Sequence, residues 1–437
     1  MLNLYGEKST FCDGISRRNM LQVGFLAMSG LSLADVLKLR ADAATPTRKT
    51  SVIFIELAGG PSQFETYDPK PLAPIEYRGK MSPIATKIPG EQFCELLPRQ
   101  ATIADKISVI RSIRHPSNSH DPSSHLTQTG YYKTGKKGGP NQFPCFGSVI
   151  AHLRGANHVN LPAYVGIPRT MRNGRAAYLG KAFNPFETVA NPNSKKFDVK
   201  NLSLRRDLSL RRLENRRELL QSLDSHRRLR DLEGSSRAVD QFTDQAFELI
   251  GGGRARQAFD IGQEPTRLRD KYGRNTVGQS TLLARRLIEF GVTCATVRCT
   301  GWDDHNNIFP RIGKRAPQFD QAVAALIEDL FDRGLDRDVL VVAMGEFGRT
   351  PRVNKNKGRD HWGAVMSVML AGGGLKPGII GSSNSKGEVP ATSPYRPEDI
   401  LGMVYRHLGI DPGSSLADHS GRPRYLLERR QVIRELL

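Results

Sequence analysis

Short apolar runs recur along the chain and are separated by stretches with helical periodicity. The runs lie at residues 51–57, 107–110, 163–167, 292–297, 339–343 and 365–370. They are nearly continuous and rich in β-branched residues, which predicts parallel strands covered by helices on both faces. Apolar residues at helical spacing in 267–291, 318–334 and 397–408 predict intervening helices. The order of helix 318–334 and strand 339–343 predicts a right-handed βαβ unit, and therefore an α/β fold.

The first 43 residues are predicted to be a twin-arginine signal peptide. Arg17 and Arg18 precede an apolar segment, residues 23–33, that is too short to span a bilayer comfortably. Small residues at Ala41 and Ala43 predict cleavage after Ala43, so the folded domain is expected over residues 44–437. We therefore expect a periplasmic or extracellular protein that is exported by the twin-arginine translocon and has no transmembrane segment.

The formal net charge of the 437-residue chain is +20, and much of the excess falls in one segment. Residues 198–253 combine clustered arginines with leucines at helical spacing, which predicts a basic helical insertion. Such a surface suits nucleic acid, but no aromatic residue interleaves with the arginines of residues 203–230. We expect a solvated arm packed by its leucines, and no nucleic-acid partner.

Ionisable residues are dense behind the strand predicted at 339–343. Glu346 follows at its carboxyl end, where open α/β sheets bind ligands. Arg349, Arg359, Asp360 and His361 come next, on a loop whose proline, asparagine and glycine residues allow it to fold back over the strand end. The alternative is a solvated loop in which Glu346 pairs with Arg349 and His361 is a hydrogen-bonded turn residue.

Three further strand ends carry candidate site residues. The strand at 107–110 is followed by His115, His120 and His125, and the strand at 292–297 by Asp303, Asp304 and His305. A helix that begins near Ser123 would place His120 at its N-terminus, where backbone N–H groups favour an anion. Asp121 and Ser123 are then expected to cap this helix. Behind the strand at 51–57, Gly59 and Gly60 allow close approach of the backbone to a ligand.

These clusters are predicted to converge, because the carboxyl ends of parallel strands meet at one edge of a sheet. Carboxylate and imidazole groups without cysteine are typical ligands of a divalent metal ion such as zinc, manganese or calcium. The predicted ligands are Asp303, His305, Glu346, Asp360 and His361. A purely hydrogen-bonded network of the same groups is the alternative.

Six motifs spread over the chain point to one known family. They are AGGPSQFETYDPKP, HDPSSHLTQTG, GWDDH, GEFGRTP, GRDHW and LAGGG. Together they resemble an exported bacterial family catalogued as domain of unknown function fifteen-oh-one, which is grouped with the alkaline phosphatase and sulfatase superfamily. The resemblance covers nearly all of the chain after the signal. It implies a doubly wound, mostly parallel α/β sheet with a metal centre at the strand ends and a nucleophile at a helix N-terminus.

The chain departs from the superfamily pattern at three places. Sulfatases carry Cys or Ser followed by any residue, Pro, Ser and Arg, and at this spacing the chain has His120, so formylglycine chemistry is not expected. Behind the first strand, Ala58, Gly59 and Gly60 stand where the superfamily places metal-binding aspartates. After a late strand, Glu346 begins a Glu-Phe-Gly sequence in place of Asp-His-Gly. A complete two-metal centre of the phosphatase kind is therefore not expected.

The sequence predicts a metal-dependent hydrolase of sulfate or phosphate esters, acting on an anionic small molecule or a polysaccharide. His120 is predicted as the nucleophile or general base, and Arg349 and Arg359 as the groups that neutralise the anion. The alternative is a non-catalytic binding protein for anionic glycans on a degenerate sulfatase-like fold. The metal content of the purified protein separates these two hypotheses.

Overall fold

The computed structural model describes residues 49–134, 138–199, 215 and 253–437. The predicted signal peptide, 1–43, lies outside these residues, and so does nearly all of the predicted basic insertion, 198–253. Both stay predictions, as does the start of the folded domain at residue 44.

The described strands are distributed over the whole length of the domain. They are β1 (Ser51–Leu57), β2 (Pro83–Ala85), β3 (Gln92–Cys94), β4 (Ile107–Ile113), β5 (Tyr164–Ile167), β6 (Phe186–Glu187), β7 (Cys294–Cys299), β8 (Val339–Gly345), β9 (Gly348–Arg349), β10 (His361–Trp362), β11 (Met366–Gly372), β12 (Gly378–Ile380), β13 (Ser415–Ala417) and β14 (Pro423–Tyr425). Eight of them form a central sheet in the order β12-β4-β11-β8-β1-β7-β5-β6, and the others pair as β2 with β3, β9 with β10 and β13 with β14. Each of the six predicted apolar runs coincides with a strand of the central sheet.

The central sheet is parallel except at β11, which runs antiparallel to both of its neighbours, β4 and β8. Strand β8 is parallel to β1, β1 to β7, and β7 to β5. Because the reversed strand lies between β4 and β8, these two strands still point the same way. The carboxyl ends of β4, β8, β1, β7 and β5 therefore lie at one edge of the sheet, and the predicted mostly parallel fold is confirmed.

The described helices that contribute to the hydrophobic core pack on the two faces of this sheet. The full set of described helices is α1 (Ile75–Arg78), α2 (Pro98–Thr102), α3 (His120–Thr129), α4 (Phe146–Leu153), α5 (Gly253–Phe259), α6 (Thr266–Tyr272), α7 (Thr276–Phe290), α8 (Ile308–Asp332) and α9 (Pro397–His407). Short 3-10 turns lie at Ala104–Lys106, Ala177–Leu179, Lys181–Phe183, Ile261–Gln263 and Arg434–Leu436.

Strand β1 shows why its sequence is apolar throughout. Ile53, Ile55 and Leu57 belong to the hydrophobic cluster that includes residues of α7 and α8, whereas Val52 and Phe54 belong to the cluster on the opposite face, with residues of α4 and α9. Successive side chains of a strand point to opposite faces, so a strand covered on both sides is apolar at every position. The doubly wound arrangement follows from this pattern.

Helix α8 is longer than its sequence predicts. It begins at Ile308, ten residues before the predicted start at 318, and it contains Pro317. Its apolar face, including Ile312, Ala316 and Phe319, is fully buried, and this burial offsets the backbone hydrogen bond that the proline cannot make. Among the residues that the structure describes, no helix is long and apolar enough to span a bilayer.

Candidate functional site

The site lies at the edge where the parallel strands end. His120 is the first residue of α3, which follows β4, and Glu346 directly follows β8. Asp303 and His305 come after β7, and His361 begins β10. The β9–β10 ribbon pairs Arg349 with His361 and so folds the loop back over the end of β8.

Asp303, His305 and His361 form the centre of this site. The Nε2 atoms of His305 and His361 are 2.9 Å apart, and each lies 3.0 Å from Oδ1 of Asp303. Nε2 of His120 lies 3.2 Å from Oδ2 of the same carboxylate. His120, Asp303 and His361 each offer one ligand atom within 4.8 Å of the others. His120, Asp303 and His361, which come from three strand ends, therefore face one point, and Nε2 of His305 lies beside Asp303 and His361.

The second nitrogen of each imidazole is held by an acceptor outside this centre. Nδ1 of His361 lies 2.9 Å from the carbonyl oxygen of Asn118, and Nδ1 of His305 lies 2.7 Å from Oδ1 of Asp360. Nδ1 of His120 makes a short hydrogen bond with Glu346. Carbonyl and carboxylate oxygens accept hydrogen bonds, so Nδ1 carries the hydrogen in each neutral ring. All three Nε2 lone pairs then point into the centre.

The charges around the centre favour an ionised carboxylate. Partial burial raises the pKa of Asp303, but the hydrogen bond and positive charge of Arg349 outweigh it and hold this pKa well below its ordinary value. Burial lowers the pKa of His361, which favours its neutral ring. The hydrogen bond with Glu346 raises the pKa of His120, against partial burial and the positive charge of Arg172.

Arg349 positions Asp303 and is not available to an anion. The side chain is fully buried, and Nη2 donates to Oδ1 of Asp303 at 2.6 Å. The guanidinium also donates to the carbonyl oxygens of Gly60 at 2.9 Å, of Arg359 at 3.0 Å and of Trp302 at 3.1 Å. Arg349 was expected to neutralise a bound anion, but all sides of its guanidinium contact protein.

Arg359 is likewise directed into the protein. It is fully buried and forms an ion pair of 2.8 Å with Glu65, whose side chain is also inaccessible. Its other donors contact the carbonyl oxygens of Thr350, Pro351 and Tyr77. A cation without solvent access cannot neutralise a bound ester, so the anion-binding role predicted for Arg359 is also corrected.

Glu346 and Asp360 do not face the centre as metal ligands. Glu346 contacts Nδ1 of His120, on the far side of that ring. Asp360 contacts Nδ1 of His305, again on the side away from the centre. Carboxylates in this position orient a metal-binding imidazole from behind. Both predicted ligands therefore lie behind an imidazole ring and not among the atoms that face the centre.

The other residues of the predicted clusters have structural partners. Nε2 of His115 lies 2.8 Å from the carbonyl oxygen of Glu346, and Nδ1 of His125 lies 2.7 Å from that of Tyr131. Both histidines are buried. Asp304 is buried and forms ion pairs of 2.9 Å with Arg311 and 2.8 Å with Arg315. Of the three histidines after β4, only His120 reaches the centre.

The start of α3 differs from the predicted cap. The helix begins at His120 behind Ser119, and no side chain caps it. Asp121 instead accepts hydrogen bonds from Lys133 at 3.1 Å, from the backbone of Gly138 at 2.9 Å and from Asn173 at 3.2 Å. Asp121 thus fixes two loops against the helix.

Gly59 serves packing and not ligand approach. Its φ of +114° is a conformation that favours glycine. A Cβ at this position would overlap the backbone of Trp302 and Asp303. The loop after β1 can therefore lie directly beneath Asp303, which leaves no room for the aspartate that the superfamily pattern places there.

A cavity of about 770 Å³ opens beside His120 and His361. Its wall includes Arg172 and Lys181, which the sequence analysis did not single out. Both belong to the segment that follows β5, and β5 ends at the same edge of the sheet as β7. Extending the strand-end argument to β5 would have found Arg172, since Arg169, Arg172 and Arg175 follow that strand closely.

The donor set fits a divalent metal ion. Zinc bound at ~2.0–2.2 Å in a tetrahedron has neighbouring ligand atoms about 3.3 Å apart, close to the contacts among Asp303, His305 and His361. Two imidazole Nε2 lone pairs at 2.9 Å repel one another unless a cation lies between them. Carboxylate and imidazole donors also suit manganese. The residues present are therefore compatible with the predicted divalent metal ion, but they do not determine which metal it is.

Together these features define an α/β protein with a histidine and aspartate centre at the carboxyl edge of a mostly parallel sheet. The chain belongs to the family described as "Protein of unknown function (DUF1501)", whose model matches residues 49–437. The family predicted from the six motifs is thereby confirmed. The sequence matches none of the curated proteins.

Solved structures similar to this chain include sulfatases and alkaline phosphatases. A sulfatase from Pseudoalteromonas sp. is 12% identical, with 86% of this chain and 70% of that chain covered and a TM-score of 0.38. The alkaline phosphatase of the Antarctic bacterium TAB5 is 12% identical, with 83% and 99% covered and a TM-score of 0.38. A structure titled Ps i-CgsB in complex with k-i-k-neocarrahexaose is 12% identical, with 83% and 72% covered and a TM-score of 0.40. These similarities concern the fold alone.

Proposed function

We propose that this protein is an exported, metal-dependent hydrolase of sulfate or phosphate esters. The observation that supports the proposal is the convergence of the Nε2 atoms of His305 and His361 on Oδ1 of Asp303, with Nε2 of His120 on the other carboxylate oxygen. Such a centre beside an open cavity combines a metal-binding donor set with space for a substrate.

Asp303, His120, His305 and His361 would hold the metal. When bound, a divalent metal supplies Lewis acidity and lowers the pKa of a water molecule. Arg349 fixes the Asp303 carboxylate, and Asp360 fixes the ring of His305 through Nδ1. Side chains that are already held in place lose little conformational entropy when a ligand binds at the centre.

His120 is assigned to the metal and not to the nucleophile or base role that the sequence predicted. Its Nε2 lies 3.2 Å from Asp303, which places it in the same donor set as His361. The His120–Glu346 pair keeps a proton between Nδ1 and the carboxylate. Its Nε2 then stays free as an electron-pair donor.

The location and substrate class complete the proposal. Arg17 and Arg18 support export by the twin-arginine translocon to the periplasm or the cell exterior. The substrate is an anionic ester, either a small molecule or a group on a polysaccharide. No nucleic acid is involved.

A test requires both metal content and turnover. The full-length gene is expressed with its own signal, and the exported protein is purified without chelator. We expect about one divalent ion per chain and hydrolysis of an aryl sulfate or aryl phosphate. Chelation should remove the activity, and one of zinc, manganese or calcium should restore it. Asp303→Asn should lose both metal and activity, whereas the exposed-site control Asp332→Asn should keep both.

One observation favours a second candidate function, a non-catalytic binding protein for anionic glycans. Gly59 packs so closely on Trp302 and Asp303 that the first-strand aspartate of the superfamily pattern has no room. The same preparation decides between the two candidates. Protein without stoichiometric metal, which also takes up none on titration but still binds a sulfated glycan, would favour the binding protein.

A further inference from the structure

The cavity beside the metal centre is built from three segments of the chain. Residues 118–121 contribute the start of α3, residues 138–141 contribute one loop, and residues 171–184 contribute the segment after β5. His361 also lines the cavity, beside His120. At about 770 Å³ it falls within the range of pockets that enclose a whole small ligand. A single sulfate or phosphate group fills only a small part of it.

The backbone around Arg172 is fixed by hydrogen bonds. Asn173 donates to the carbonyl oxygen of Asp121 at 3.1 Å and to Oγ of Ser124 at 2.8 Å, which ties the segment to α3. The carbonyl oxygen of Arg175 accepts from the backbone of Cys145 at 3.0 Å. The segment therefore presents its side chains from a defined position.

The side chain of Arg172, in contrast, is exposed toward the cavity. Within residues 49–134, 138–199 and 253–437, no carboxylate lies at ion-pair distance from it or from Lys181. Arg175 is less suitable, since its guanidinium lies 3.7 Å from Glu187. The one acid of the cavity wall, Asp121, already contacts Lys133, Gly138 and Asn173. The uncompensated charge in the cavity is positive.

Arg172 shares the cavity wall with His120 and His361. Arg349 and Arg359, which the sequence predicts to neutralise the anion, have no solvent access. Lys181 lies in the same wall and is exposed as well. The cavity thus offers two separate cations to a ligand larger than one ester group.

We infer that this cavity recognises a substrate with at least two negatively charged groups, such as a multiply sulfated or phosphorylated saccharide. Arg172 binds the anion that enters beside His120 and His361, and Lys181 binds a second anion in the same cavity. The inference rests on the proposed function, because it identifies the substrate class of that same site. Arg172 and Lys181 are then specificity-determining residues.

Calorimetric binding tests the inference independently of turnover. The exported protein is titrated with a tetrasulfated disaccharide, with the same disaccharide lacking sulfate, and with inorganic sulfate. We expect the tetrasulfated form to bind at least about tenfold more tightly than either of the others, since charge-assisted hydrogen bonds exceed neutral ones. This preference should decrease as salt is added.

Three variants assign the effect to the named residues. Arg172→Gln should weaken binding of the tetrasulfated disaccharide about tenfold or more, and Lys181→Gln about threefold or more, with unchanged melting temperatures. Arg172→Lys should fall between the wild type and Arg172→Gln, because it keeps the charge but not the planar donor pair. Arg267→Gln removes another exposed arginine, which lies outside the cavity, and should bind like the wild type.

The possible outcomes separate this inference from the proposed function. Equal affinity for the sulfated and unsulfated disaccharides, or wild-type affinity of Arg172→Gln, would overturn the inference even if an aryl ester is hydrolysed. Selective binding that depends on Arg172, in a protein that hydrolyses no ester, would keep the recognition site and reject only the hydrolase. If Arg172→Gln does not fold, Lys181→Gln decides the question by the same comparison.

Discussion

The Nε2 atoms of His305 and His361 lie 2.9 Å apart, although the two residues are 56 positions apart in the chain. Nδ1 of His305 contacts Asp360, and Nδ1 of His361 contacts the carbonyl oxygen of Asn118. Both outer partners accept hydrogen bonds, so two unprotonated nitrogens face each other beside an ionised Asp303. A cation between them removes the repulsion, and this relationship underlies the predictions on metal binding.

His120→Ala should weaken metal binding at least about tenfold and abolish ester hydrolysis, because one of the four donors is removed. Metal affinity is measured by titrating chelator-treated protein, and the exposed His419→Ala is the control. The free energy of unfolding should also fall by ~1–3 kcal/mol, since Glu346 loses its partner. If the His120→Ala variant still binds metal fully but no longer hydrolyses the ester, His120 acts as the nucleophile or general base instead.

Asp360→Asn should lower metal affinity by ~10–100-fold while the protein stays folded, because the carboxylate orients His305 from behind the ring. The measurement is the same metal titration. Asp332→Asn, which removes a carboxylate exposed on α8, should leave the affinity unchanged. Wild-type metal affinity in Asp360→Asn would show that His305 needs no such support.

Arg359→Gln should destabilise the protein by ~3–5 kcal/mol, because Glu65 would remain as a buried charge without a partner. The free energy of unfolding is measured by denaturant titration. The exposed Arg352→Gln is the matched control, and adding Glu65→Gln to Arg359→Gln should recover part of the loss. If Arg359 bound the substrate anion instead, stability would be unchanged and only anion affinity would fall.

Glu56→Gln should change how stability depends on pH. Burial raises the pKa of Glu56 to about 8, and Arg298, at 3.3 Å without a hydrogen bond, opposes this only partly. The folded protein therefore keeps a proton on Glu56 above pH ~4.5, where the unfolded chain releases it. The stability of the folded state consequently falls as the pH rises from about 4.5 to about 8.

Glutamine cannot lose that proton, so the variant should gain stability relative to the wild type between pH 5 and pH 9, by about 1 kcal/mol or more. The difference in unfolding free energy is measured at both pH values on chelator-treated protein. Other buried acids, such as Asp320, titrate equally in both proteins and cancel in the difference. If the difference in unfolding free energy between the variant and the wild type does not change with pH, the pKa of Glu56 lies near its ordinary value.

Replacement of Arg17 and Arg18 by lysine should leave unprocessed protein in the cytoplasm, because the twin-arginine translocon reads the arginine pair. Cell fractionation and the mass of the mature N-terminus give the result. Arg40→Lys, a single change in the same leader, should be exported normally. Continued cleavage and export of the double variant would contradict the proposed route.

The sequence by itself determined the strands and the place of the site. Strands covered on both faces must be apolar at every position, so β1, β7 and β8 are visible as continuous runs. Ends of parallel strands share an edge, so residues behind β4, β7 and β8 had to lie near one another. The proximity of His120, Asp303 and His361 could therefore be predicted without any knowledge of side-chain packing.

Only the tertiary structure decided what each of those side chains does. An arginine next to a strand end can face solvent or protein, and Arg359 faces Glu65, a residue 294 positions away that no local pattern connects to it. Likewise, a carboxylate near a histidine can face its Nδ1 or its Nε2, and that choice separates Asp360 and Glu346 from Asp303. Such choices depend on distances of a few ångström between distant segments. Sequence periodicity fixes the edge of the sheet where a residue lies but not the direction of its side chain.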